Sequence, residues 1–393
     1  MLIAGAGLGG LTAALALLKR GIDADVYEQA GELREVGAGL QLSANGNRAL
    51  FQLGLEGAMA EWACEAAGKE IRLWNTGQTW KLFDFGAESV RRYGYPYYTL
   101  YRPDLLGVLA DAVRREKRDA IHLGARCTGA VQDAAGVTLA LEGGATVSAD
   151  ALIAADGVRS SLRQCLFGDD QPRFTGIVAW RVSVPMEQVP AHLRRPVATN
   201  WVGPGSHVVH YPVHRGRLMN VVGLLERDDW QVESWTVRGS REECLRDFAA
   251  WHEDVRILFD RAPEFYKWAL MLRDPRERWT EGRVTLLGDA AHPTLPMLAQ
   301  GANMAIEDGY ILARCLQRWP GDVALALARY EALRRERTRQ VVLGSAASTR
   351  LFHNRALGDP AGAQAYIDRE WREDRVRERY EWLFTYDVDA VEL

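Results

Sequence analysis

Leu2-Ile3-Ala4-Gly5-Ala6-Gly7-Leu8-Gly9-Gly10-Leu11-Thr12-Ala13-Ala14, followed by Asp25-Val26-Tyr27-Glu28, decides the fold. A short apolar run at 1–4 reads as a strand, 5–10 as a tight turn, and the Ala/Leu-rich stretch 11–19 as a helix ended by Gly21. Residues 25–27 read as a second strand closing on Glu28, so the unit is βαβ with a right-handed crossover and a parallel sheet. Gly5, Gly7 and Gly10 match GxGxxG. The first glycine permits the turn, the second lets backbone approach a pyrophosphate, and the third lets helix and strand pack closely. Free N–H groups at the helix start favour an anion, and Glu28 stands where a carboxylate grips ribose hydroxyls. An acid there favours an unphosphorylated ribose, as in FAD or NAD.

Working outward, the chain has 393 residues, 48% hydrophobic and 25% charged, which excludes extended disorder and fibrous repeats and favours two domains. With 48 basic and 52 acidic residues the net charge is −4, so no electrostatic footprint for nucleic acid exists and small-molecule partners are expected. The five cysteines (Cys64, Cys127, Cys165, Cys244, Cys315) form no CxxC pair, which argues against a zinc knuckle or a disulfide framework and for idle thiols in a reducing cytoplasm. Residues 2–18 carry no charge, but glycines interrupt their start and no basic segment introduces them, so a turn and a buried helix are expected rather than a signal or membrane segment.

A helix expected at 46–53 precedes an aromatic, alternating region at 71–101, read as strands of a second layer. The run 93–101 reads as sheet packing rather than base stacking. Residues 103–115 suggest a helix with Pro103 in its first turn, then strands at 137–141, 146–147 and 151–155. Residues 175–225 have the texture of an antiparallel sheet, and 241–259 that of a helix. A buried strand at 284–287, a long helix at 302–318 and a charged helical tail at 361–393 follow, with Trp371, Trp382 and Phe384 as docking residues.

Two further sites stand out. In Ala151-Leu152-Ile153-Ala154-Ala155-Asp156-Gly157-Val158-Arg159-Ser160 a buried strand stops at an Asp-Gly turn, and Ser160 is placed to cap the next helix; alone this reads as an ordinary junction. In Val284-Thr285-Leu286-Leu287-Gly288-Asp289-Ala290-Ala291-His292-Pro293 a strand delivers Asp289 to the edge where open α/β sheets bind ligands, and 300–303 open a long helix. His292 is expected to be structural.

In this order and spacing the three sites resemble the single-component FAD-dependent aromatic hydroxylases, the group typified by p-hydroxybenzoate hydroxylase. The likeness runs from Gly5 to about Leu316. It is nearest to the salicylate, 3-hydroxybenzoate 6- and 6-hydroxynicotinate hydroxylases, on Glu35-Val36-Gly37-Ala38-Gly39, Arg102-Pro103-Asp104-Leu105, Val209-His210-Tyr211-Pro212 and Ala299-Gln300-Gly301-Ala302. The resemblance implies a mixed α/β (α+β) fold, a Rossmann-type FAD-binding domain interleaved with an antiparallel β-sheet substrate domain, plus C-terminal helices. The expected bounds are 1–70, 100–172 and 275–330 for the first, 71–99 and 173–274 for the second, and 331–393 for the tail.

It also implies that FAD pyrophosphate lies on Gly5, Gly7, Leu8 and Gly10, and its ribose on Glu28. Arg102 would contact the FAD, Asp289 would hold its ribityl or pyrophosphate region, Asp156 and Gly157 would serve FAD and the passing nicotinamide nucleotide, and Gly39, Gly301, Ala302 and Asn303 would flank the isoalloxazine. NADH or NADPH would reduce the flavin transiently and O2 would be the co-substrate, with a flavin hydroperoxide delivering hydroxyl to an electron-rich ring. An imidazole suits removal of a phenolic proton. His210, in the family-like segment Val209-His210-Tyr211, is the expected base, and the Pro296 carbonyl is expected to face the reacting centre. Gln41, Trp201, Tyr211, Leu225 and Met297 are weaker wall candidates. If 206–212 is a strand, alternation sets His207, Val209 and Tyr211 on one face and Val208 and His210 on the other, which argues against a metal held by His207, His210 and His214.

The expected reaction is hydroxylation of a small phenolic acid such as salicylate or hydroxybenzoate, by a cytoplasmic protein, with a homodimer left open. An N-heteroaromatic substrate resembling 6-hydroxynicotinate, a flavin reductase or halogenase of the same superfamily, or a non-catalytic flavin-bound module stay open. The WxWxIP segment of the halogenases does not occur.

Overall fold

The computed structural model describes residues 1–393 apart from 34–36, 169–170, 233 and 235; Glu35 and Val36 of the expected family segment therefore lie outside the described residues. Among the described residues the strands form four sheets. The first has six strands in the order Thr280–Glu281, Val284–Leu286, Leu152–Ala154, Leu2–Ala4, Asp25–Glu28, Ile121–Leu123, parallel except at the 280–281 edge. Leu2 pairs with both Leu152 and Asp25, and Leu152 with Val284, so the three sequence sites end side by side along one sheet edge. Both faces of these strands are covered, which explains their unbroken apolar runs.

The second large sheet is mainly antiparallel, with seven strands ordered Tyr266–Leu272, Arg173–Pro185, Leu218–Glu226, Ser206–Val213, Val197–Gly203, Gly68–Leu73, Thr79–Asp84. The pairing of Gly68–Leu73 with Val197–Gly203 is parallel, so a hairpin from early in the chain extends a sheet otherwise built much later. Strand Gly68–Leu73 runs through the expected boundary at 70/71, and helix Val323–Phe352 through that at 330/331. Two three-stranded sheets complete the set; in one, Tyr98–Tyr101 pairs with Gly39–Leu42 and Cys64–Glu65 and so does not join the second layer.

Local chemistry accounts for several helix ends. The first helix, Leu8–Leu18, begins before the expected residue 11, with Gly9 and Gly10 inside its opening turn. Ser160 caps Ser161–Phe167, its hydroxyl accepting the Arg163 N–H at 2.9 Å. The helix expected over 241–259 is instead two, Arg241–Asp247 and Glu253–Asp260. The break occurs where the His252 N–H is drawn out to the Trp74 carbonyl (2.8 Å) and the His252 ring accepts the Asp254 N–H, starting a new helix. These two helices cover one face of the seven-stranded sheet around Trp180, Trp201, Phe248 and Phe259. Among the described residues no helix is long and apolar enough to cross a membrane.

Candidate active site

A cavity lies between the carboxyl edge of the parallel sheet and the face of the seven-stranded sheet opposite helices Arg241–Asp247 and Glu253–Asp260. Gly7, Leu8, Gly157, Asp289, Gly301 and Ala302 line its first wall. Gly5 holds a φ of 101°, a value natural only to glycine, and a Cβ on Gly10 would strike the Gly5 carbonyl oxygen. In front of Gly7 the space is open. Neither Leu8–Leu18 nor Gly301–Arg318 has a side-chain cap, so two helix starts turn free N–H groups and the positive ends of their dipoles to this cavity. Glu28 reaches back to the same turn, its two oxygens accepting the Ala6 and Ala30 N–H groups, each at 2.8 Å. The Arg102 N–H holds the Ala38 carbonyl at 2.8 Å, and Arg102, Ala38 and Gly39 all line the cavity.

The second wall is a sheet face with period two. Lys69, Arg181, Asn200, His207, Tyr211 and Leu224 project into the cavity from five neighbouring strands, with Phe352 and Met297 closing it. Tyr97 donates its hydroxyl to Gln41 Oε1 at 2.7 Å, fixing the amide at the rim. His207 is buried, stacks on Phe352 at 5.0 Å between ring centres, and has Nδ1 2.7 Å from Nε2 of His353. Burial, then the His353 ring and the Lys69 charge, hold its imidazole well below the usual range, so it is a neutral ring at pH 7. Lys69 is buried, and its ammonium, pushed down to about 8 by desolvation, has no carboxylate partner among the described residues. A buried cation without an anion is costly, and it marks where an anionic ligand group gains most.

Several expected site residues are placed differently. His210, Trp201 and Leu225 lie on the opposite sheet face, because each is one residue out of phase with the cavity-facing set. His210 sits buried near Glu70, Arg72 and Asp254, with neither ring nitrogen hydrogen bonded, and cannot reach a guest in the cavity. Asp156 is turned away from the cavity: its carboxylate accepts the Ser160 hydroxyl at 2.5 Å and the Leu162 N–H at 3.3 Å, serving the start of Ser161–Phe167. Asn303 is an internal clip, its amide donating to the Gln41 and Ala299 carbonyls and accepting the Ser43 N–H. Pro296 lines the cavity, but its carbonyl accepts the Ala299 N–H at 3.0 Å, closing a 3-10 turn. His292 bonds Asp308 at 2.6 Å and is structural, as expected.

Sequence reasoning did not single out Lys69, Arg181, Asn200 or Phe352. For His207 the signal was present, since alternation already grouped it with Tyr211.

A family model described as FAD binding domain matches residues 1–345. The chain is 38% identical over 389 residues to a 3-amino-4-hydroxybenzoate 2-monooxygenase of Streptomyces platensis, covering 99% of this chain and 96% of that one. It is 35% identical over 393 residues to a 3-hydroxybenzoate 6-hydroxylase of Polaromonas naphthalenivorans, again covering 99% and 96%. Among solved structures, HpxO of Klebsiella pneumoniae complexed with FAD and uric acid superposes with a TM-score of 0.83 at 30% identity, covering 98% of this chain and 95% of that one.

Proposed function

The chain belongs to the FAD binding domain family, and from that membership we propose that it hydroxylates a hydroxybenzoate-class acid whose carboxylate meets Lys69 and whose hydroxyl meets His207. It is a flavoprotein aromatic monooxygenase using NAD(P)H and O2. The observation that carries the substrate reading is the pairing, in one cavity, of a buried ammonium that has no carboxylate partner among the described residues and a buried neutral imidazole. The free thiols of all five cysteines support a cytoplasmic setting.

The residues present fit FAD. A Cβ would fill the Gly5–Gly10 cradle, the space before Gly7 is open, and Glu28 sits beside the turn with Arg102, Asp289, Gly301 and Ala302 along the same wall. When bound and reduced, FAD supplies with O2 the electrophilic oxygen. The protein's own contribution lies in the ring. Lys69 orients the acid, and His207 takes the phenolic proton, raising electron density at the carbons ortho and para to the oxygen. Leu224, Val222, Trp268 and Phe352 keep water out.

The test is turnover with 3-amino-4-hydroxybenzoate, 3-hydroxybenzoate, salicylate and 6-hydroxynicotinate. At least one is expected to accelerate NAD(P)H oxidation with stoichiometric hydroxylated product; peroxide as the sole product from all four would refute the reading. Lys69→Met is expected to raise KM for the acid about ten- to a hundredfold, as for a lost charge-assisted contact of roughly 1.5–3 kcal/mol, with a smaller change in kcat. Gly10→Val overpacks the turn and is expected to weaken FAD retention about tenfold or more; flavin absorbance per protein after gel filtration reads this directly.

A further inference from the structure

Between the two groups that meet the acid stands a third that the functional reading leaves idle. Asn200 is 5% exposed and lines the cavity, and its side-chain amide is hydrogen bonded to no group among the described residues. Its partners on the neighbouring strands are Val209 and Ile71, both apolar side chains that cannot bond it. A buried amide without partners is costly, and it marks a place where a polar group of a guest is taken up. Resting on the functional reading above, we infer that Asn200 selects a 4-hydroxybenzoate whose ring carries an uncharged hydrogen-bond donor, amino or hydroxyl, on the carbon beside the reacting hydroxyl.

The sheet register places the three groups in line. On strand Val197–Gly203, Ala198 pairs with Lys69 and Val202 with His207, and Asn200 lies midway between those two positions. The backbone positions of Lys69 and His207 are thus opposite corners of a patch about 10 Å wide and about 13 Å long, from two strand spacings and four residues, with Asn200 at its centre. In an ortho-hydroxy acid the carboxylate and the hydroxyl touch and cannot reach toward both corners. In a para-hydroxy acid they leave opposite ends of the ring and lie along the diagonal.

The ring edge nearest the sheet then passes over Asn200, and a substituent next to the hydroxyl is aimed at the amide. The Asn200 carbonyl oxygen accepts from an amino or hydroxyl group there, whereas a hydrogen or a methyl leaves it unpaired. Lys69, in the same cavity, sets the charge: its ammonium repels a second cation, so an aromatic amine, uncharged at neutral pH, fits beside it.

The experiment compares kcat/KM of FAD-loaded wild type and Asn200→Leu for 3-amino-4-hydroxybenzoate, 3,4-dihydroxybenzoate and 4-hydroxy-3-methylbenzoate, the last of similar volume but without the donor. Hydroxylated product is measured beside NAD(P)H oxidation. In wild type at least one donor-bearing acid is expected to exceed the methyl acid about ten- to a hundredfold, as for one buried amide left unpaired. In Asn200→Leu that advantage is expected to shrink below about threefold. Wild type that treats all three acids alike would overturn the inference. So would Asn200→Leu that loses activity with all three in equal proportion, the pattern of a structural role or of a contact to the shared carboxylate. Should Asn200→Leu not fold, Asn200→Ala carries the same comparison. If wild type hydroxylates neither these acids nor the four above, the functional reading itself fails; hydroxylation without the preference sinks only the role of Asn200.

Discussion

His207→Asn is expected to lower product formation at pH 7 by about a hundredfold or more, the usual share of a positioned base, while FAD stays bound and the remaining NAD(P)H oxidation yields peroxide. The neighbouring change His210→Leu is expected to leave coupled turnover within about twofold, because a side chain across the sheet makes no contact that differs between ground and transition states. Product chromatography beside NAD(P)H consumption separates the two. A hundredfold loss in His210→Leu with normal turnover in His207→Asn would reverse the assignment. His210 also leaves a stability signature. Burial first, and Arg72 second, push its imidazole down to about 4. The unfolded ring binds its proton near the ordinary 6.5 and the folded one only near 4, so wild-type stability falls as pH drops through that window. One such ring contributes up to about 1.4 kcal/mol per pH unit, and His210→Leu should remove that share of the acid lability.

Arg334→Ala is expected to destabilise the fold by about 3–5 kcal/mol, the cost of leaving buried carboxylates without their partner. Arg334 is wholly buried, with Nε 2.6 Å from Asp308 and a terminal nitrogen 2.6 Å from Glu307. Arg337 and Asn45 complete Glu307 at 2.7 and 2.6 Å, and His292 completes Asp308. Burial alone would raise the Asp308 carboxyl, but His292 and Arg334 outweigh it and hold it down at about 2. Its stabilisation is therefore present above the unfolded value near 3.8 and is lost as pH falls toward 2. Asp308 also accepts the Gly288 N–H at 3.1 Å, so the network anchors the turn that presents Asp289 to the cavity. Urea unfolding of the FAD-loaded protein measures the loss; a midpoint unchanged from wild type would contradict it.

The parts of the site readable in the sequence are those made by local chemistry. Gly5, Gly7, Gly10 and Glu28 carry their meaning in spacing, and Ser160 reads as a cap because capping involves only the next turn. The sheet wall is different. Alternation sorted His207 and Tyr211 from His210, but which set faces the cavity depends on what covers each face. Helices Arg241–Asp247 and Glu253–Asp260, which bury Trp201 and pack on Leu225, decide that at long range. Lys69 was hidden for the same reason: flanked by Glu70 and near Arg72, it has the look of a solvated edge until the parallel pairing with Val197–Gly203 places it inside. His353 caps the end of helix Val323–Phe352, and nothing local in the sequence joins it to His207.

That parallel pairing has a consequence for how the molecule is made. The hairpin of Gly68–Leu73 and Thr79–Asp84 emerges from the ribosome with an open strand edge and acquires its neighbour only after residue 203 is synthesised. Such late, non-local closure slows assembly and exposes a sticky edge meanwhile. Fragments ending between 84 and 196 should therefore aggregate, and recovery of intact protein at low growth temperature or with added chaperone should exceed that at 37 °C.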